Sequence, residues 1–463
     1  MDSPITFQGH WWLPEDPGNR IAGSLTHDEV SGTNLIVLGS ILKDSHFNSG
    51  RIDAICGISS NGRLITLIDC MSVGSTINTN GGEQHNISAR IMAVGTHVGK
   101  DSVFHLKSLS FRCTNLEAWV DRHGFDINVT RNPIRFDVSY TRPESIHVPL
   151  PDGSILKIGF SVNGPRQTLF QTEMTISQKT WITVESPTRS SLEELWTLVG
   201  RVRNFLSLCV GRPVFITDLQ ATSDLATIHY PESVHYTAID IYLYGIDRGD
   251  NSKAIARPGE VLLPLSSIQD HLEDALSSWF VRGEIIDPSI QLYFGTLYES
   301  TIHLNQHFLF LAQALETYHR RTSDDTDMAQ SDHELRLASI IDTAPAEYKA
   351  WINSKLRYSN ELSFRKRIKM ITRSFSRVLG GYIKVSSFSS KVVNTRNYLT
   401  HYDPSGEDSA VTGKVDMLDL IFKLRTVLEC CFMREIGLDD ARIATALAEV
   451  ISKRSGAIER NRQ

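Results

Sequence analysis

Two residues whose side chains suit phosphate chemistry lie close together near position 400. Arg396 and His401 are separated by four residues, and Asn397 directly follows the arginine. A guanidinium keeps its proton and grips phosphate through a planar fork, whereas an imidazole titrates near neutrality and transfers protons. The pattern predicts metal-independent RNA cleavage, in which a 2′-hydroxyl attacks its own phosphate. Arg396 would stabilise the charge on the phosphate, His401 would act as general acid or base, and Asn397 would orient His401 or the phosphate.

The spacing alone is a weak signal, because Arg142 and His147 repeat it in a part of the chain that is predicted to be β. The alternative interpretation is a capping histidine and a surface arginine. Five steps of an ideal helix turn through about 140°, so Arg396 and His401 do not share a face of a regular helix. They can converge if the last turn loosens before Pro404, or if the second residue comes from another subunit.

A concentration of positive charge precedes this pair. Between residues 355 and 391 the chain has ten lysines and arginines and a single acid, Glu361, although its net charge is −6. Such a local field suits a phosphate backbone, but a solvated helix face accounts for it equally well. Aromatic residues are interleaved; Tyr358 and Tyr382 can stack on bases, while core packing is favoured for the phenylalanines. The candidate RNA-binding residues are Arg365, Lys366, Lys369, Arg373 and Lys391.

The elements that must position these residues fall into two classes. Residues up to about 187 contain short β segments separated by turn residues, among them Asn61-Gly62, for which a two-residue turn would need positive φ at both positions, and Pro151-Asp152-Gly153. This pattern predicts a sandwich or a barrel-like domain. Ser190 or Ser191 is predicted to cap a helix over 192–208. Helical periodicity dominates from about residue 272, with segments at 287–297, 302–321, 335–344, 346–357, 364–379, 385–402, 415–436 and 439–453.

The predicted fold class is therefore α+β, with a β-rich N-terminal domain and a helical bundle. The predicted boundaries are 1–187 for a sensing or regulatory domain, 188–300 for a mixed connecting region and 301–463 for the helical domain. The segment 308–315 is apolar on nearly all sides, which predicts a buried helix, and residues 454–463 are expected to fray. Trp11 and Trp12 are expected in a core or at a strand edge rather than on a ligand.

Composition excludes several classes of protein. The apolar and charged fractions, 41% and 22%, are ordinary for a globular protein. No apolar run approaches the length of a membrane helix, and the N-terminus lacks the features of a signal peptide. The six cysteines include no Cys-x2-Cys pair, which favours buried free thiols and a cytoplasmic location. His303 and His307 have zinc-like spacing but no third ligand, so no metal and no cofactor is expected.

Four stretches resemble the ApeA-type HEPN ribonucleases of antiphage defence. Arg396-Asn397-x3-His401 resembles the HEPN motif, the segment 308–320 resembles the first long helix of that HEPN domain, and the segments 7–14 and 21–25 resemble the opening of the ApeA N-terminal domain. The resemblance implies abortive infection, a β-rich half that senses a phage-derived protein trigger, and a helical endoribonuclease that cuts cellular RNA, with tRNA as one candidate. It also implies pairing of HEPN domains in a homodimer or higher oligomer, and it assigns Glu316 to the catalytic set.

Two other functions remain open from the sequence. The chain can be a non-catalytic HEPN adaptor that binds RNA or a nucleotide through the basic run, in which case binding survives the loss of His401. Alternatively, the β domain binds a ligand and the helices serve only to dimerise.

Overall fold

A computed structural model describes residues 4–28, 30–41, 50–77, 83–98, 104–167, 170, 172–245, 256, 260–299 and 301–462. The chain divides into two compact units, Met1–Glu273 and Asp274–Gln463. The first unit is built on β-sheet and the second is helical, which confirms the predicted α+β class. This division differs from the predicted boundaries at 187 and 300, because strands beyond residue 187 pair into the sheet of the first unit.

Six strands of the first unit close into a barrel. In spatial order, β6 pairs with β3, then come β2, β1, β4 and β5, and β5 pairs back onto β6, always antiparallel. Closure leaves no free edge among the six strands. Their bounds are β1 (Ile5–Trp12), β2 (Ile21–Asp28), β3 (Gly32–Leu38), β4 (Arg51–Ser59), β5 (Leu64–Ile77) and β6 (Glu83–Val94).

The interior of the barrel is filled by side chains at alternating positions, as the period of a strand requires. Leu35 and Val37 are fully buried, whereas Ile36 between them is 42% exposed. Trp11 is fully buried, which confirms the core role predicted for it. Gly57 makes room for the indole, because a Cβ there would lie 2.2 Å from the Trp11 ring.

The sheet continues beyond the barrel through β6, which pairs with β16 from Ile91 onward. The order after β16 is β13, β7, β12, β11 and β10. Two further hairpins, β8 with β9 and β14 with β15, form separate two-stranded sheets. The bounds of these elements are β7 (Leu106–Cys113), α1 (Leu116–Val120), β8 (Phe125–Arg131), β9 (Ile134–Tyr140), β10 (Ile146–Pro149), β11 (Ile155–Gln167), β12 (Met174–Ser190), α2 (Leu192–Val210), β13 (Ile216–Thr222), β14 (Thr227–Tyr230), β15 (Ser233–Tyr236), β16 (Ile239–Leu243) and α3 (Leu265–Ile268).

Local signals in this unit are partly confirmed. Ser191 caps α2 in a capping box with Glu194. The Asn61-Gly62 turn joins β4 to β5, but only Gly62 has a positive φ, so the expectation for Asn61 was wrong. The physical reason is a longer loop, in which the Ser59 hydroxyl donates to Asn61 Oδ1 and accepts from the Arg63 amide.

Nearly all helices of the second unit were predicted, with bounds shifted by a few residues. A 3-10 turn (Gln269–His271) leads into the first of them. The bounds are α4 (Leu272–Ile285), α5 (Asp287–Tyr298), α6 (Leu304–Thr322), α7 (Gln330–Thr343), α8 (Ala346–Leu356), α9 (Phe364–Ser374), α10 (Ser376–Leu379), α11 (Val385–His401), a 3-10 turn (Pro404–Ser409), α12 (Lys414–Glu435) and α13 (Asp440–Arg462).

Three details of that prediction were wrong. The helix predicted over 364–379 breaks at Phe375, whose ψ of 23° leaves the helical range. The segment 308–315 is not buried on all sides, since Phe310 is 41% exposed. The chain does not fray after residue 453, because α13 reaches Arg462 and Arg454 is buried in ion pairs with Glu429.

Among the residues that the structure describes, no helix combines the length and the apolarity that a membrane crossing requires. The six cysteines are all free and buried, as predicted.

Candidate active site

Helix α11 carries both Arg396 and His401. Its buried stripe, with Phe388, Val392 and Leu399, fixes the orientation of the helix against the bundle, as the periodicity predicted. The helix is regular through His401 and ends at Tyr402, which takes a left-handed conformation with φ 49°. The Tyr402 amide donates to the Tyr398 carbonyl over 2.6 Å. The last turn is therefore closed rather than loosened.

This regularity keeps the two side chains apart within one copy of the chain. Five helical steps rotate His401 by about 140° from Arg396, and no hydrogen bond joins them in the part of the chain that the structure describes. An unwound last turn would have let Arg396 and His401 converge. The helical hydrogen bonds of α11 instead continue to its cap. The remaining route to a joint site is a contribution from a second copy.

Arg396 is held by two polar contacts. Its Nη2 lies 3.4 Å from Glu316 Oε2 on α6, and its Nη1 donates to Asn397 Oδ1 over 3.2 Å. The guanidinium carbon lies 5.5 Å from the centroid of the Phe364 ring at the start of α9. The side chain is still 39% exposed. The guanidinium is thus positioned from three sides while solvent reaches it.

Glu316 belongs to a longer series of ion pairs. It accepts from Arg320 over 3.3 Å on its own helix, and Arg320 Nη1 lies 2.6 Å from Glu361 Oε2. The hydrogen bond that Arg320 donates to Glu361, followed by the one that it donates to Glu316, raises the pKa of Arg320. The alternating series Arg396, Glu316, Arg320 and Glu361 links α11 to α6 and to the residues that precede α9. We call it the Glu316 network.

His401 has a different environment. It is exposed at the C-terminal end of α11, and no side chain hydrogen-bonds to its ring in the described ranges. Asp403, two residues further on, accepts hydrogen bonds from the Ser405 amide and hydroxyl at 3.0 and 2.8 Å. Those bonds, with a small contribution from the charge of His401, hold the pKa of Asp403 below its ordinary value. The imidazole is therefore free to meet a ligand from outside the chain.

The predicted RNA-binding residues divide into two groups. Arg365 donates to Ser390 Oγ over 2.6 Å and to Asn394 Oδ1 over 3.1 Å, both on α11. Lys366 pairs with Asp327. The second group is Lys369, Arg373 and Lys391, for which the described residues offer no hydrogen bond or ion pair. The first group therefore stabilises α9 within the helical unit. The second group has cationic side chains that can bind phosphate.

The basic run also contains a structural member. Arg367 is 4% exposed and donates to His319 Nδ1 over 3.1 Å and to the Leu362 carbonyl over 3.1 Å. Burial, and then the charge of Arg367, lower the pKa of His319, so the imidazole is the neutral acceptor. Among the aromatics, Phe375 and Phe388 are buried as predicted, while Phe364 is half-buried against Arg396.

Sequence reasoning missed Arg320, Glu361 and Phe364 as neighbours of the site. A signal was present for the first, because Glu316 and Arg320 are four apart on a helix and such pairs interact. Glu361 was visible only as the lone acid of the basic run, and its contact with Arg320 spans 41 residues. Nothing in the spacing pointed to Phe364.

The described residues contain no group of three or more His, Cys, Asp or Glu side chains that could hold a metal ion. Burial lowers the pKa of His307 to about 4, with a smaller effect from the charge of Arg425. His307 is thus a neutral helix residue facing the bundle, and His303 is exposed before the first turn of α6.

Comparison with known families decides the affiliation of the chain. The family described as ApeA N-terminal domain 1 matches residues 6–279, and the family described as Apea-like HEPN matches residues 309–442. The chain belongs to the ApeA family. Neither a curated protein nor a solved structure matches it.

The two matches give the ApeA chain its architecture. The β-barrel and its sheet extension lie in the first matched range, and Glu316, Arg396 and His401 lie in the second. An Apea-like HEPN domain behind an ApeA N-terminal domain supports a HEPN-type antiphage effector.

Proposed function

We propose that this chain is a metal-independent endoribonuclease that defends against phage by cutting cellular RNA, tRNA being the first substrate to test. The observation that carries the proposal is the placement of an accessible guanidinium, Arg396, and an unengaged imidazole, His401, on one helix of the HEPN-matched range. Both groups have the chemistry that phosphodiester cleavage needs.

The reaction uses a hydroxyl that the substrate itself supplies. The ribose 2′-oxygen attacks the adjacent phosphorus and loses its proton to a base, while the bond from phosphorus to the 5′-oxygen breaks and that oxygen takes up a proton. The products are a 2′,3′-cyclic phosphate and a 5′-hydroxyl end. We assign proton transfer to His401 and stabilisation of the charge on the non-bridging oxygens to Arg396. Asn397, which accepts from Arg396, orients the guanidinium.

Glu316 has a positioning role in this scheme. Its carboxylate contacts Arg396 and Arg320, and a carboxylate would repel a phosphate rather than bind it. In the absence of RNA it neutralises Arg396, whose 3.4 Å contact is long for a charged hydrogen bond. A phosphate oxygen can therefore replace Glu316 as a partner of the guanidinium while the rest of the Glu316 network keeps its geometry.

The active unit contains two copies of the chain. Because α11 is regular through His401, one copy does not bring its own arginine and histidine together. A second copy that faces the first would supply the histidine opposite Arg396. Lys369, Arg373 and Lys391 would then extend the contact along the RNA backbone, since each phosphate neutralised adds to affinity.

The test is cleavage of cellular RNA by the purified chain with EDTA present, after addition of a lysate of phage-infected cells to supply the trigger. Arg396→Ala and His401→Ala are each expected to lower the rate at least about 100-fold. The chain offers a matched control, because Arg142 and His147 have the same spacing and are also exposed; Arg142→Ala and His147→Ala should cut at the rate of the wild type. Equal rates for all five proteins would refute the proposal.

Mixing the two inactive variants tests the composite site. If Arg396 of one copy works with His401 of the other, an equimolar mixture of Arg396→Ala and His401→Ala regains about one quarter of the activity, because half of the pairs are mixed and each has one intact site of two. No recovery would show that both groups act from the same copy.

The β-rich half is the candidate sensor of a phage-derived protein trigger. Deleting residues 1–273, one compact unit, should leave a helical unit that cuts RNA without a trigger or is toxic in cells. A non-catalytic adaptor would instead bind RNA with salt sensitivity in both wild type and His401→Ala, and neither protein would produce new ends.

A further inference from the structure

The β8–β9 hairpin has one apolar face. The two strands pair along their whole length, with Ile127 opposite Val138 and Val129 opposite Phe136. Residues that face each other across an antiparallel pair, and residues two apart on a strand, project from the same side. One side is therefore hydrophobic from the base to the turn, where Arg131 lies opposite Ile134. Its apolar members are Ile127, Val129, Ile134, Phe136 and Val138. We call this the hairpin face.

The hairpin face is open to solvent. Its five side chains are between 55% and 77% exposed. The other side of the same hairpin is polar and carries Asp126, Asn128, Thr130, Arg135 and Asp137. This alternation is the pattern of a strand pair that has one face against a partner and one face in water. No other residue of the described part of the chain forms a strand against this hairpin.

The base of the hairpin is tied to the rest of its unit by hydrogen bonds. Gln178 of β12 accepts from the Gly124 amide over 3.0 Å and from the Tyr140 hydroxyl over 3.3 Å, and it donates to the Arg122 carbonyl over 2.9 Å. Beyond that point the hairpin pairs with no other strand of the described sheets. Its orientation is set, and its apolar side is left uncovered.

The exposed area is large for a monomer. At roughly 100 Å² for an aliphatic side chain and 200 Å² for an aromatic one, five residues of this exposure present about 300–600 Å². This lies within the range of the largest patch that monomers normally show, about 300–600 Å². A stable interface uses about 800 Å² from each partner, so the hairpin face supplies roughly half of one. An isolated two-stranded hairpin is also marginally stable in water.

We propose that the hairpin face is covered by the same face of a second copy of this chain. An exposed apolar strand pair promotes aggregation. The partner that buries it must therefore be present whenever the protein is present. A second copy meets that condition, whereas a trigger that arrives with infection does not. The composition agrees, because permanent homodimer interfaces are more apolar than transient ones, and the face carries a single charge, Arg131, at its turn end.

The contact has a defined geometry. Two hairpin faces pack as two layers about 10 Å apart, related by a two-fold axis, so each residue meets the same surface on the other copy. Phe136 and Val129, the central cross-strand pair, lie at its middle. The proposal does not depend on whether Arg396 and His401 cut RNA, since it concerns a surface of the β-rich unit.

The dissociation constant of the full-length dimer tests it, measured by sedimentation equilibrium. Phe136→Glu buries a charge at the centre of the contact and should weaken the dimer at least about 100-fold. Thr130→Glu adds the same charge on the polar side and should leave the constant within about 2-fold of the wild type. Because both positions are exposed in the monomer, neither change threatens the fold, which circular dichroism checks.

A cross-link gives the second readout. All six native cysteines are buried, so a new surface thiol is the reactive one. Val129→Cys should form a disulfide-linked dimer under mild oxidation, and Asn128→Cys, one residue away on the polar side, should not. A monomeric wild type would overturn the proposal and leave the face to a partner of different sequence. A dimer unaffected by Phe136→Glu, with no cross-link at Val129→Cys, would overturn it equally.

Discussion

Two clusters of arginine and glutamate lie in the helical unit, and they differ in burial. The first centres on Glu429, which is 1% exposed and accepts two hydrogen bonds of 2.7 Å from Arg454, one of 3.0 Å from Arg425 and one of 3.0 Å from the Tyr293 hydroxyl. The charges of Arg454 and Arg425 lower the pKa of Glu429 in spite of its burial. Both oxygens of the buried carboxylate are engaged, Oε1 by three donors and Oε2 by one.

The second cluster is the Glu316 network. Glu316 is 17% exposed, Arg396 39% and Arg320 44%, and the contact between Arg396 and Glu316 is 3.4 Å. Solvent screens such pairs, and a phosphate can compete for the guanidinium. Arginine and glutamate thus stabilise the fold where they are buried, and they can bind a ligand where they are exposed to solvent. Burial decides between the two roles.

The largest expected loss of stability is in the buried cluster around Glu429. Glu429→Ala leaves the buried Arg454 and the partly buried Arg425 without a carboxylate and should destabilise the helical unit by about 3–5 kcal/mol. Glu316→Ala, the matched change in the Glu316 network, should lower the free energy of unfolding by at most about 1 kcal/mol. Guanidinium unfolding of the full chain, followed by far-ultraviolet circular dichroism, measures both. Similar losses for the two variants would remove the distinction drawn between the clusters.

A smaller effect is expected from acid. The folded-state pKa of His307, about 4, lies below the unfolded value of about 6.5, so the unfolded chain binds the proton first. The stability that neutral His307 contributes is therefore complete above pH 6.5 and is lost as the pH falls towards 4. His307→Gln should flatten this loss by about 1–2 kcal/mol, allowing for partial exposure.

The exposed His303 supplies the comparison for that experiment. Since His303 lies outside the first turn of α6, His303→Gln should keep the pH dependence of the wild type. If both substitutions flatten the curve alike, burial of His307 is not the cause.

The smallest change in stability is expected at Glu316→Gln, which keeps the shape of the side chain and removes its charge. Unfolding should shift by less than about 1 kcal/mol, while kcat for RNA falls roughly 10-fold because Arg396 is less well oriented. Glu316→Asp should restore part of kcat. An unchanged kcat with a lowered KM would instead mean that Glu316 only competes with the RNA phosphate.

Much of the fold could be predicted from the sequence because its signals are local. The capping box at Ser191, the turn at Asp152-Gly153 and the apolar stripe of α11 each depend on residues a few positions apart. Closure of the barrel could not be predicted, because it requires β1 to pair with β4 and β6 to pair with both β3 and β5. The boundary near 273 was missed for the same reason, since β13 pairs with β7 across about a hundred residues.

The candidate site shows the same limit. Arg396 and His401 are visible as a spacing, but the partners of Arg396 come from α6 and α9. Residues 454–463 were expected to fray as chain termini commonly do, and Arg454 is instead bonded to Glu429 on α12, 25 residues earlier. The sequence alone does not indicate whether a charged side chain is solvated by water or paired with a buried carboxylate.

The ends of the cleaved RNA test the central claim most directly. Purified full-length chain should be incubated in EDTA with cellular RNA and with a lysate of phage-infected cells that supplies the trigger. The new termini should then be mapped with a ligase that accepts 2′,3′-cyclic phosphate. We predict cyclic phosphate at every new 3′ end and hydroxyl at every new 5′ end, with both lost in Arg396→Ala and in His401→Ala. The same ends at the same rate from those variants, or 3′-hydroxyl and 5′-phosphate ends that vanish with EDTA, would contradict the assignment of the reaction to this guanidinium and imidazole.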